Sequence, residues 1–409
     1  MQNCGNIYKK GEIMAFSNQE KSQHGKNAQA NLSTLLNSCK KNNYIENFKS
    51  NYRVGKDGYT NKTQFYAPFI ISFANGENWI LFSTTSMRTD RIKGQQWDAY
   101  NLKNINPLIT KAFLVYSDDV SKKDIEEFER QNKKYLSKTE YSCIDEILSQ
   151  DKLFNLIEKN ATLSCNSGQI KDIQGRNFET RIALCLSCAD NLKKWKNNDK
   201  TITGIYFPIF ESILNSLNLE KELIQNIDAT TDKKIIGKLP SNGNPKTDVY
   251  VKITFSDSTT KTITISCKRS SSEKVSVHQY SANSFSEILD STNQTLNKLL
   301  QSFQETPSLS AFGEKNIEDL TKELKPYSDK LAKWVLAGVG GYGDPDRHWA
   351  THILTYDNNS SNISFHSIDE YINLLNQNNI TGNFGTYFSW TYPSKQRGKS
   401  IQLKCKIIR

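Results

Sequence analysis

Asp248 opens one short alternating stretch of the chain, and Lys268 closes the next. Their types suggest a specific chemistry. A carboxylate is a hard oxygen ligand suited to Mg²⁺, which binds through one or two carboxylates, several waters and substrate phosphate. An ammonium beside such an ion neutralises charge building on a phosphate and favours ionisation of an attacking water. Ser266 stands two residues before Lys268 and would share its face of a strand. An acid, an amine and a hydroxyl brought together in this way suit hydrolysis of a phosphate ester.

The elements that must position them are legible in the spacing. Val249, Val251 and Ile253 alternate with Tyr250, Lys252 and Thr254, the period of a half-buried strand. Ser256, Asp257 and Ser258 supply turn chemistry. A second strand is predicted from about Thr262 to Lys268. It has Ile263, Ile265 and Cys267 on an apolar face and Thr264, Ser266 and Lys268 on a polar one. Upstream, CNSGQIKDIQGRNFETRIALCL reads as a helix from about Asn177, with Glu179 in its first turn.

The run P-K-T-D ending at Asp248 and S-C-K at 266–268 resembles the PD-(D/E)xK nuclease motif. Within that superfamily the segment is most similar to the MspI/HpaII group of type II restriction endonucleases. The resemblance implies an α/β fold, with a restriction-endonuclease-like mixed β-sheet flanked by helices and an N-terminal α/β lobe. It implies Mg²⁺-dependent, sequence-specific hydrolysis of double-stranded DNA. Asp248 and Glu179 would hold the metal, Lys268 would orient and activate water, and Ser266 would take part through water. Ser266 departs from the commoner Glu or Asp and leaves the metal site one charge poorer. The family likeness also implies a cytoplasmic enzyme with a cognate DNA methyltransferase encoded nearby, and it leaves a homodimer open. A repair or nicking nuclease of the same fold, or a non-catalytic DNA-binding protein on a degenerate nuclease fold, would carry much of the same sequence.

Composition agrees with a polyanionic partner. The 409 residues carry 53 Lys+Arg against 43 Asp+Glu, a formal net charge of +10. Phosphate contacts supply most non-specific DNA affinity. Mean hydropathy is −0.63, and no apolar run is long enough to predict a membrane span. The N-terminal residues lack an apolar signal core. Eight scattered cysteines read as free thiols of a reducing compartment. Cys185-x-x-Cys188 has no matching second pair, which argues against zinc.

Three regions are expected: a polar N-terminal arm over 1–50, an α/β lobe over 51–160, and the catalytic domain over 161–409. In the lobe, the loop S-M-R-T-D-R-I-K-G-Q-Q-W offers Arg88, Arg91 and Lys93 to phosphates, and Gln95 and Gln96 to base edges. Arg269, Lys274, His278 and Gln279 are the corresponding candidates after Lys268. Residues 83–105 also overlay 266–288 without a gap, setting Gln96 on Gln279, Ala99 on Ala282 and Thr85 on Lys268. This echo predicts that the lobe is nuclease-like, lacks a catalytic centre, and holds or reads DNA.

Overall fold

The computed structural model describes residues 18–56, 63–85, 88–117, 120, 122–133, 143–162, 167–199, 202–270, 272–306, 308–357, 362–393 and 398–408. The chain forms two compact units. The first comprises residues up to Ala161 with Asn197–Ile205, and the second comprises Thr162–Lys196 with Tyr206 onward. Asn31 Nδ2 donates to the Thr203 carbonyl at 2.5 Å, which ties the 197–205 segment into the first unit.

The first unit runs α1 (Asn18–Lys41), β1 (Asn47–Lys56), β2 (Thr63–Ser72), β3 (Asn78–Thr84), α2 (Thr89–Ile105), β4 (Ile109–Tyr116), α3 (Lys122–Gln131), β5 (Glu146–Ser149) and α4 (Gln150–Ala161). Its sheet has the order β1-β2-β3-β4-β5. The stretch expected to be a polar arm carries α1, whose Ala28, Leu32, Leu35, Leu36 and Cys39 form a buried stripe at helical spacing. The Asn75-Gly76 turn joins β2 to β3, with Gly76 at φ 85°.

The second unit begins with α5 (Ser167–Leu186), α6 (Ala189–Asn197), α7 (Phe207–Ser216), β6 (Ile224–Thr230) and α8 (Lys233–Ile236). Then come β7 (Val249–Phe255), β8 (Thr260–Ser270), β9 (Lys274–Tyr280), α9 (Ala282–Asp290), α10 (Gln294–Glu305), α11 (Leu309–Phe312), α12 (Glu314–Leu324) and α13 (Ser328–Ala337). It ends with β10 (His352–Asp357), β11 (Ile363–Ser367), α14 (Ile368–Gln377), β12 (Ser389–Thr391) and β13 (Ile401–Lys406). The main sheet has the order β11-β10-β8-β7-β6, and β12-β13-β9 form a smaller one. The mixed sheets flanked by helices match the expected fold class.

In the main sheet β6, β7 and β8 form an antiparallel meander, and β10 lies parallel to β8 on its other side. Strand β8 is therefore central, and it is buried over Ile263–Cys267 on both faces. The half-buried alternation expected of it does not hold. Thr264 is buried because its hydroxyl donates to the Trp349 carbonyl at 2.6 Å, which covers the polar face. Helix α5 packs on β6, β7 and β8. The main apolar core beyond the sheet gathers Phe285, Leu300, Phe303, Leu331, Val335, Phe388 and Trp390 from α9, α10, α13 and the tail.

Candidate active site

The β7–β8 pair sets the geometry. Val249 pairs with Ile265 in antiparallel register, and the Asp248 N–H donates to the Ile265 carbonyl at 2.9 Å. Asp248 is thereby held opposite Ser266, with Lys268 one alternation further on the same face. Asp248 Oδ2 accepts the Cys267 N–H at 2.7 Å and lies 3.4 Å from Lys268 Nζ. The ammonium also donates to Ser266 Oγ at 2.9 Å and to the Cys267 carbonyl at 2.9 Å. An ammonium has three donors, and here each has an acceptor. The pair is only partly covered, with 15% of the Lys268 side chain and 23% of Asp248 exposed. Ser266 has no exposed surface.

Glu179 approaches from α5. That helix starts at Ser167, so Glu179 lies in its interior and not in a first turn. The helix dipole therefore does not account for an acid at this position. Its charge is felt at Cys267. Burial first, then the charges of Asp248 and Glu179, hold that thiol well above its ordinary range, with Lys268 opposing.

Lys246, passed over in the motif reading, belongs to the same neighbourhood. Its Nζ donates to the Val277 carbonyl, and its N–H donates to the His348 carbonyl at 3.1 Å. Burial, with repulsion from Lys268 and against attraction by Asp248, pushes its ammonium down to about 7. Its place two residues before Asp248 in P-K-T-D was the signal available.

The other candidates divide. Lys274 and Gln279 are exposed on β9; Lys274 Nζ donates to Ser389 Oγ at 2.7 Å and Gln279 Nε2 to Ser400 Oγ at 3.3 Å. Arg269 turns toward α5 and donates to the Gln174 carbonyl at 3.4 Å. His278 does not reach the surface. It is buried against Tyr280, Phe285 and Trp334, with ring centroids 4.4, 5.6 and 4.2 Å away. Burial, with Lys246 nearby, holds its imidazole well below its ordinary range. The expectation that His278 touches DNA is set aside on that packing. In the first unit Arg88, Arg91 and Lys93 are exposed. Gln96 turns inward and accepts the Cys143 and Ile144 N–H groups at 2.6 and 2.7 Å, so it caps a loop where base reading had been expected. Gln95 is half-buried. In the tail, the exposed Lys399 is described, whereas Lys395 and Arg397 lie outside the described residues.

The family model for restriction endonuclease MspI matches residues 152–405, more than half of the chain. The chain belongs to the MspI restriction endonuclease family. It is 28% identical over 410 residues to the type II restriction enzyme BsuFI of Bacillus subtilis, covering 96% of this chain and 99% of that one. It is 25% identical over 249 residues to the type II restriction enzyme MspI of a Moraxella species, covering 58% of this chain and 91% of MspI. Among solved structures it is similar to MspI in complex with its cognate DNA. That match has a TM-score of 0.53 at 22% identity and covers 62% of this chain and 97% of MspI. This member of the MspI family is a type II, site-specific deoxyribonuclease. The BsuFI match extends over both units, whereas the family match begins at α4 and leaves nearly all of the first unit outside it.

Proposed function

We propose that this restriction endonuclease hydrolyses phosphodiester bonds of double-stranded DNA with Mg²⁺, using the Asp248–Lys268 pair as its reacting centre. The observation that carries the reading is the carboxylate and ammonium 3.4 Å apart on adjacent strands, both open in part to solvent.

The donor set fits Mg²⁺. Among the described residues no group of three His, Cys, Asp or Glu side chains could hold a metal ion. Mg²⁺ does not need three, because waters and substrate phosphate fill the remaining octahedral positions. Asp248 commits Oδ2 to Cys267 and Lys268, which leaves Oδ1 to face an ion, and Glu179 would be the second carboxylate. When bound, the ion supplies Lewis-acid polarisation of the phosphate and a more acidic water.

The protein's own groups do the rest. Cys267 N–H fixes the Asp248 carboxylate in orientation. Ser266 Oγ and the Cys267 carbonyl hold Lys268 by two short bonds. The third contact, to Asp248, is longer than the usual 2.7–2.9 Å of a charge-assisted bond. That proton is the one free to turn toward a phosphate oxygen or an attacking water. Ser266, being neutral, accepts from the ammonium without competing for its charge. Lys274 and Gln279 are the exposed groups near this strand that meet DNA. The enzyme works in the cytoplasm, with a methyltransferase encoded nearby that protects the host's own sites.

Purified protein incubated with plasmid and Mg²⁺ is expected to give discrete fragments. Nicked circles alone, or uncut plasmid with Mg²⁺ and with Mn²⁺, would overturn the reading.

A further inference from the structure

The two units are built on the same plan. In the first, β1, β2 and β3 form an antiparallel meander and β4 lies parallel to β3. In the second, β6, β7 and β8 form the meander and β10 lies parallel to β8. A helix precedes each meander and packs on it, α1 on β1 and β3, α5 on β6, β7 and β8. Within these two sheets the plans part at the fifth strand, parallel in β5 and antiparallel in β11.

The correspondence extends to single hydrogen bonds. The β2–β3 turn is closed by Phe73 N–H to the Glu77 carbonyl and Gly76 N–H to the Phe73 carbonyl. The β7–β8 turn is closed by Phe255 N–H to the Thr259 carbonyl and Ser258 N–H to the Phe255 carbonyl. Gly76 and Ser258 both have positive φ, 85° and 68°. Asn75 and Asp257 each accept a backbone N–H two residues on, at 3.1 and 2.9 Å. Matching these turns sets Phe73 on Phe255, one residue away from the overlay read from sequence. A one-residue slip exchanges the two faces of a strand, and the corrected match brings Leu81 onto Ile263. It also brings Thr84 onto Ser266 and Tyr66 onto Asp248. The gapless overlay fails again beyond the strand, where β9 stands in place of the start of α2.

The first unit therefore has a tyrosine where the second has its acid. It still brings a cation to the same place. Arg91 Nη1 lies 3.5 Å from Thr84 Oγ1, as Lys268 Nζ lies 2.9 Å from Ser266 Oγ. The β2–β3 pairing ends at Phe69 and Leu81, and beyond it the Tyr66 hydroxyl donates to Asn51 Oδ1 on β1 at 3.3 Å. The Arg53 guanidinium lies over the Tyr66 ring, 4.8 Å from its centroid. Both arginines are exposed. The acids at hand are engaged: Asp98 takes the Tyr66 N–H, and Asp90 pairs with Arg88 at 2.9 Å.

We propose that the first unit is a second, non-cleaving nuclease core, whose Arg91 and Arg53 grip a backbone phosphate of duplex DNA at the position where the second unit cuts one. This rests on the nuclease reading of the second unit. An arginine fork suits phosphate geometry, and with Tyr66 at the place of Asp248 the strand itself offers no acid for a metal centre.

The test measures binding of the full-length protein to a duplex of arbitrary sequence by fluorescence anisotropy, with Ca²⁺ replacing Mg²⁺. The Arg53→Ala/Arg91→Ala variant is expected to bind about tenfold more weakly near 0.1 M salt, with a salt slope shallower by about 2. A charge-matched control, Lys26→Ala/Lys41→Ala on α1, is expected to keep the wild-type slope. Unchanged binding in the arginine variant, or an equal loss in the control, would overturn the proposal. The claim that this core does not cut has its own arm. Asp248→Asn/Lys268→Ala is expected to leave plasmid supercoiled in Mg²⁺, and nicking by that variant would contradict it. Failure of wild type to cut plasmid would strike the Asp248–Lys268 reading and leave the binding result intact.

Discussion

The Asp248 carboxylate and the Lys268 ammonium face each other at 3.4 Å across the β7–β8 pair, and Cys267 N–H holds the same carboxylate oxygen from the other side. The acid is thus anchored by backbone, while the amine is anchored mainly by Ser266 and Cys267. Substitution of each partner should have a different signature.

Lys268→Ala removes the group that would meet charge developing on the phosphate. Loss of one such preorganised donor costs about 10²–10³-fold in rate. Plasmid cleavage is expected to fall at least that far, while anisotropy still reports DNA binding. Retained cleavage would reject the role given to Lys268.

Asp248→Asn keeps an oxygen to accept the Cys267 N–H and deletes the charge. The melting temperature is expected to stay within a few degrees of wild type, and cleavage to fall by about 10³-fold. Raising Mg²⁺ should not restore it. Chelation of the wild type with EDTA should abolish cleavage and added Mg²⁺ should recover it. A large fall in melting temperature with full activity in the surviving protein would make Asp248 a structural residue only.

Ser266→Ala takes an acceptor from a charged donor at a position with no exposed surface. Hydrogen bonds to charged groups contribute about 1.5–3 kcal/mol. Urea unfolding is expected to show a loss in that range. Single-turnover cleavage at saturating enzyme should slow about tenfold, because Lys268 loses one of its two short tethers. A rate equal to wild type would show that Asp248 and the Cys267 carbonyl alone orient the amine.

His278 gives a pH dependence whose sign follows from its burial. Its imidazole is held well below the ordinary range, so it is neutral in the fold and takes a proton once the chain unfolds near pH 6.5. Below that pH the unfolded state binds more protons, and stability falls by up to about 1.4 kcal/mol per pH unit. Neither ring nitrogen has a hydrogen-bond partner among the described residues, so phenylalanine loses no bond there. His278→Phe is expected to lose about 2 kcal/mol less than wild type between pH 6.5 and 5. Parallel slopes for the two proteins, by urea denaturation, would contradict this.

Much of the site was legible because it rests on a hairpin. Val249–Ile253 and Ile263–Cys267 alternate strictly, and Asp257 marks their turn, so the meeting of Asp248 and Lys268 followed from local spacing alone. What escaped was set by tertiary partners. Strand β6 buries only Ile224 and Ile227, two positions three apart, and shows no period of two. Helix α5 opens with Ser167, Gly168 and Gln169, polar or flexible residues that hid its first turn and misplaced Glu179 within it. Gln96 and His278 read as groove-facing polar residues, yet a loop backbone claims one and an aromatic cluster the other. The echo between the units was visible in sequence, but its register was wrong by one residue, because similarity of type cannot distinguish adjacent strand positions, whereas a shared turn can.

The late arrival of β10 sets an order on synthesis. Strand β8 has β7 beside it within a few residues, but its other neighbour follows α9–α13. Until residues 352–357 leave the ribosome, the strand bearing Lys268 exposes one bare edge, a template for pairing with other chains. A chain cut short within that interval is expected to keep the acid and the amine but to aggregate through that edge.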